Sequence, residues 1–154
     1  MPPLKNSNLN GQTLIETVIA LAVVLILVSA LLSMSVASVR SATLSRNKTA
    51  ASQLAYKESE LVRNVRDSTY LFDWPQITTA FNAASCATSC NVNSSYLFTN
   101  GSKTDSTLVS GTTFTIYVTG SISATALPYT VNVTWTDSLG SHTESISSIL
   151  TPWK

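Results

Sequence analysis

Few residues in this chain have the type and spacing that chemistry requires. The 154 residues include one histidine, His142, and two cysteines, in Cys86-Ala-Thr-Ser-Cys90. A single histidine leaves most Ser-His-Asp and Cys-His arrangements without a base, and the sequence has no phosphate-cradling glycine-rich loop. A metal site needs more ligands than the lone His142 supplies. Neither catalysis, a metal nor a cofactor is expected, and His142, close to Gly140, reads as an exposed polar residue of a turn. The cysteines are open to two states, a short disulfide loop or free thiols. The remaining residue of interest is Glu16, at the mouth of the uncharged apolar run in "NGQTLIETVIALAVVLILVSALL", Asn10 to Leu32. A carboxylate at a hydrocarbon boundary is costly unless paired, so Glu16 is a functional candidate whose partner must be found. Its plainer role is to sit among headgroups at a helix N-terminus, stabilised by the macrodipole and water.

The elements that must position Glu16 follow from composition and pattern. Charged residues make up 11% of the chain and the formal net charge is +1. Such a balance supplies no field for drawing in nucleic acid or an acidic substrate. Hydrophobicity is concentrated near the N-terminus, while Ser, Thr and Asn crowd the rest, which suggests a membrane-attached protein with a polar, β-rich head. From Val18 to Val39 the chain has no charge, Pro or Gly. At about 1.5 Å per helical residue this run covers the roughly 30 Å of bilayer hydrocarbon. Lys5 precedes the run, and Arg40, Arg46 and Lys48 follow it. By themselves these charges favour the orientation with the C-terminal side inside.

Two processing routes fit these residues. In one, the run is a secretory signal cut after Ser35-Val36-Ala37, which frees a soluble domain. The run is longer than the usual signal core, however, and Glu16 has no use in a discarded segment. In the other, the cut precedes the run and leaves it on the mature chain.

Gly11-Gln12-Thr13-Leu14-Ile15-Glu16, followed directly by the apolar span, resembles the class III leader of type IV pilins and type II secretion pseudopilins. The resemblance implies that residues 1–11 are a leader cleaved by prepilin peptidase between Gly11 and Gln12 on the cytoplasmic side. The new amino group of Gln12 would then be methylated, although Gln12 stands where Phe is commonest in that family. Thr13, Leu14, Ile15 and Glu16 would form the assembly core, with Glu16 at mature position five. By the same resemblance Glu16 pairs with the N-terminal amine of Gln12 in the next subunit, making it a register device for assembly. The family also implies an α+β, pilin-like fold: a long helix, transmembrane in its first half and a stalk in its second, packed on a small antiparallel β-sheet head.

The residues beyond the span fit that plan. From Ser45 to Asp67 Pro and Gly are absent, and Ala51, Leu54, Leu61 and Val65 fall at helical spacing with Glu58 as the one polar member of the row. One helix is expected from about Gln12 to Asp67, divided into a transmembrane and assembly part at 12–42 and an amphipathic stalk at 43–68. On its exposed side Glu60, Arg63 and Asp67 are spaced for surface pairs, and Ser29, Ser33, Ser38 and Ala42 permit close helix approach. The segment from Asn47 to Ser68 also resembles the stalk of minor pilins and I-type pseudopilins, which favours a minor subunit.

Residues 69–154 read as the extracellular β-rich head. Asp73-Trp74-Pro75 breaks the helix, and a Ser/Asn/Ala-rich loop is expected from Phe81 to Ser95. The resemblance places this loop in an oxidising exterior, which makes a Cys86–Cys90 disulfide the leading reading, with free thiols as the alternative. Asn100-Gly101 suggests a hairpin turn. Phe114, Ile116, Val118 and Ile122 alternate with polar residues, as do Val131, Val133 and Trp135. Leu139-Gly140 marks a further turn before a last strand carrying Ile146 and Leu150. These predict an antiparallel sheet with one buried and one polar face.

The favoured function is a structural minor subunit of a type IV pilus or type II secretion-type pseudopilus. Its expected partners are prepilin peptidase, other pilin subunits, an inner-membrane assembly platform and membrane lipid. It would be a single-pass cytoplasmic-membrane protein before assembly, N-terminus inside and head outside, and then part of an extracellular or periplasmic filament. The alternatives are a pilus-displayed binding module for adhesion or DNA uptake, and a secreted or membrane-anchored β domain. Nucleic acid is not expected, because Arg40, Arg46, Lys48, Lys57, Arg63 and Arg66 lie on the stalk among acids. The aromatics Tyr96, Phe98, Tyr117, Tyr129 and Trp135 are expected in the core or an interface.

Overall fold

The computed structural model describes residues 10–68 and 73–152, with side chains from residue 13 onward. The architecture is α+β and pilin-like, a long N-terminal helix followed by a small antiparallel sheet. Helix α1 (Asn10–Asp67) runs for 58 residues, with no Pro or Gly after Gly11 to interrupt its hydrogen-bond ladder. The chain divides into two units, residues 1–44 and 45–154.

In the first unit the large apolar side chains between Leu14 and Val39 stand exposed, and the helix is long and apolar enough to cross a membrane. Several of its hydroxyls bond back onto the helix. Thr17 Oγ1 donates to the Leu14 carbonyl at 2.9 Å, Ser29 Oγ to Ile26 at 2.8 Å and Ser33 Oγ to Ser29 at 2.9 Å. An unpaired hydroxyl is expensive in hydrocarbon, and bonding back three or four residues removes that cost.

In the second unit residues 45–67 of α1 bury Ala51, Leu54, Ala55, Val62 and Val65, together with Glu58 and Ser59. The expected stripe through Leu61 is corrected by one position. Val62 takes the core place four residues after Glu58, and Leu61 is half-buried at the rim. The stripe covers a sheet of β1 (Cys90–Val92), β2 (Phe98–Asn100), β3 (Lys103–Asp105), β4 (Phe114–Gly120), β5 (Leu127–Asp137) and β6 (Gly140–Leu150). The order is β2-β1-β4-β5-β6, with β3 also paired to β4 and every pairing antiparallel. Strict alternation along β4 and β5 sends Phe114, Ile116, Val118, Tyr129, Val131, Val133 and Trp135 into the core. Tyr129 Oη and Ser59 Oγ, 2.9 Å apart, make a buried hydrogen bond between α1 and the sheet.

Three local expectations change. Pro75 opens a second helix, α2 (Trp74–Ala83), standing in its first turn where no N–H is needed. The expected loop from Phe81 is therefore partly helical. Phe81 is buried edge-on against Phe98, with ring centroids 5.3 Å apart. Asn100-Gly101 does not close a hairpin: β2 pairs with β1 and β3 with β4, so the turn joins two ladders. The β1–β2 hairpin closes instead over residues 93–97, where Asn93 Oδ1 accepts from the Ser95 and Leu97 amides at 2.9 and 3.0 Å. Ile122 lies beyond the end of β4.

Candidate functional site

The residues singled out for assembly lie at the start of α1. Gly11 and Gln12 are on its helical backbone, but their side chains lie outside the described residues, as does Lys5 altogether. Thr13, Leu14, Ile15 and Glu16 are exposed. Within the described residues Glu16 has no hydrogen bond or ion pair, whereas Thr13 does engage a partner. Leu14 and Ile15 are 66% and 64% exposed, so the carboxylate stands among exposed apolar side chains. An acid so placed favours a context that supplies an opposite charge while covering the apolar neighbours.

A second charged arrangement lies within the residues 45–154 unit. Glu58 is 1% exposed and forms an ion pair with Lys103. It also accepts the Val92 amide at 3.0 Å, and Lys103 Nζ donates to the Val92 carbonyl at 3.1 Å. One acid thus holds α1, β1 and β3 together, with both its oxygens engaged. Nearby, the carboxyl of Asp105 is held below its usual range, chiefly by the Thr107 amide and hydroxyl, with the charges of Lys57 and Lys103 adding to the effect. The signal for the Glu58 arrangement was visible as an acid in an apolar row, whereas its partner could not be read from spacing.

Cys86 and Cys90 are joined in a disulfide, and both are buried. Cys90 begins β1 and pairs in register with Val118, so the bridge fastens the turn after α2 to the central ladder. His142 differs from expectation: it lies in β6 with its ring stacked on Trp135, centroids 5.3 Å apart, and Nε2 sits 3.0 Å from Asp137 Oδ1. That carboxylate is held below its usual range first by the Leu139 amide and then by His142. No group of three or more His, Cys, Asp or Glu able to hold a metal occurs among the described residues.

Residues 6–32 match the family model described as the prokaryotic N-terminal methylation motif. No curated protein and no solved structure matches the chain. The matched motif spans Gly11 to Glu16 and the apolar run as far as Leu32, and with the α+β architecture it is consistent with a type IV pilin-like protein. The motif supports a type IV pilin or pseudopilin subunit, a class that is in general structural and not enzymatic.

Proposed function

We propose that this chain is a minor subunit of a type IV pilus or type II secretion-type pseudopilus. Prepilin peptidase cuts it between Gly11 and Gln12, the Gln12 amine is methylated, and the subunit enters a filament through the N-terminal part of α1. The reading rests on one observation: within the matched motif, Glu16 lies fifth when Gln12 is counted as the first residue, exposed and without a hydrogen-bond or ion-pair partner among the described residues. In a filament the amine of a neighbouring Gln12 meets that carboxylate and neutral apolar surface closes around the pair. Assembly is then favoured over the lone membrane-embedded state, because only the assembled form compensates the acid. Before assembly the subunit crosses the cytoplasmic membrane once, with residues 69–154 outside. Residues 12–42 serve as the membrane and assembly segment and 43–68 as the stalk.

The test combines intact mass and N-terminal sequencing of the chain recovered from membranes and sheared filaments with a Glu16→Ala variant. A mature chain beginning at N-methylated Gln12, and a filament-bound fraction lowered about tenfold or more by Glu16→Ala, are the expected results. A chain beginning at Ser38 would instead mean a secreted β domain. Wild-type levels of the variant in filaments would remove the assembly role of Glu16.

A further inference from the structure

The sheet of the residues 45–154 unit has two faces of opposite chemistry. Every charged residue on a strand, Lys103, Asp105, Asp137 and Glu144, is in register with or alternates with the buried set on the helix side, such as Ile116, Phe114, Trp135 and Val133. Among the described residues, no strand position on the other face carries a charge. Thr104, Thr115, Thr134 and Thr143 form one rank across four strands, and Tyr117, Asn132 and Ser145 form the next. Thr119, Thr130 and Ser147 form a third. An exposed sheet face ordinarily gains solubility from interspersed Lys and Glu, so their absence from all three ranks requires an explanation.

The hydroxyls and amides of this face are held in fixed positions. Thr130 Oγ1 and Ser147 Oγ are 2.9 Å apart, Ser145 Oγ donates to Asn132 Oδ1 at 2.8 Å, and Asn132 Nδ2 donates to Thr119 Oγ1 at 3.3 Å. Neighbouring strands set such groups about 4.8 Å apart, and ranks on one face recur about every 7 Å. At one end of the face lies a shallow groove of ≈ 580 Å³, lined by Thr119, Thr130 and Ser147 on one side and Pro128 and Ile149 on the other. Ile149 is 61% exposed and, among the described strand residues, is the one large aliphatic side chain on this largely polar face.

These features select the chemistry of an occupant. A charged ligand would find no counter-charge, and a wholly apolar one would strip the hydroxyls of water without replacing its hydrogen bonds. A sugar ring meets both conditions, with a C–H face for Pro128 and Ile149 and a rim of neutral hydroxyls for Thr119, Thr130 and Ser147, each of which can donate or accept. We propose that this face binds a neutral polysaccharide, seated in the groove beside Ile149.

The experiment uses the full chain extracted in detergent and sedimented with cellulose, chitin or amylose, with carboxymethylcellulose as an acidic comparison. The expected result is retention on at least one neutral polymer, with the retained fraction lowered about tenfold by Thr130→Glu, which buries a charge without a partner, and unchanged by Gln53→Glu on the exposed side of α1. Should Thr130→Glu disturb folding by circular dichroism, Ile149→Ser at the exposed shelf provides the same comparison. Retention on none of the three neutral polymers, equal retention of both groove variants, or a Ser145→Cys variant that cross-links to a second copy while binding no polymer would each overturn the proposal. Because the assay contains no filament, its failure leaves the pilin-like reading untouched, and failure of that reading leaves the groove to be tested unchanged.

Discussion

Glu58 of α1 is paired with Lys103 of β3 beneath the rim of the sheet, and the same carboxylate accepts the Val92 amide of β1. Three elements distant in sequence thus meet at one buried charge. Removing only the cation leaves Glu58 charged and under-compensated. Lys103→Ala is therefore expected to cost about 2–4 kcal/mol, below the upper range for buried pairs because Lys103 is 33% exposed. Lys103→Ala with Glu58→Leu should recover much of the loss. Urea unfolding of the single and double variants gives the coupling, and additive effects would show that the pair contributes nothing beyond packing.

Gly120 is required by close approach. A Cβ there would lie 2.7 Å from the Pro128 carbonyl and 2.9 Å from the Phe81 ring. Backbone oxygen cannot yield cheaply, so Gly120→Ala should destabilise residues 45–154 by about 1–3 kcal/mol. A paired Phe81→Leu should relieve only the ring contact. Thermal unfolding followed by tryptophan fluorescence separates the two.

Asp137 and Asp105 both carry folded-state pKa values below the usual 3.8. A lowered acid favours the fold in its charged form. Its contribution is complete above the unfolded value and is lost as pH falls through the lower folded one. Stability should thus be flat in these groups at neutral pH and decline below about 3.8. Asp137→Asn, which keeps an acceptor for the Leu139 amide, should flatten part of that decline in urea midpoints measured from pH 7 down to about 2.5. An unchanged acid profile in both Asp137→Asn and Asp105→Asn would contradict the assignment.

The Cys86–Cys90 bridge closes a loop of sequence separation 4. Chain-entropy reasoning gives about 2 kcal/mol for so short a loop. Replacing both cysteines with Ala should lower stability by about that amount while leaving the β1–β4 pairing intact. Hydrogen exchange at Val118 and at the neighbouring β4 amides reads the pairing directly.

The sequence by itself determined the features that depend on local pattern. These are the leader motif at Gly11 to Glu16, the uninterrupted helix, the alternating strands β4 and β5 and the Leu139-Gly140 reversal. Each is encoded within a few residues: the spacing of apolar side chains, the absence of Pro and Gly, or a glycine at φ +123 where the hairpin requires one. Helix α2 was hidden because Pro75 signals a break and a helix start equally well. The shift from Leu61 to Val62 came from the exact face that α1 presents to the sheet. Only the tertiary structure decided that Lys103 reaches Glu58, that His142 stacks on Trp135 and that all strand charges share the helix side. Those relations depend on strand order and register, which are set by packing across long sequence separations and have no local signature.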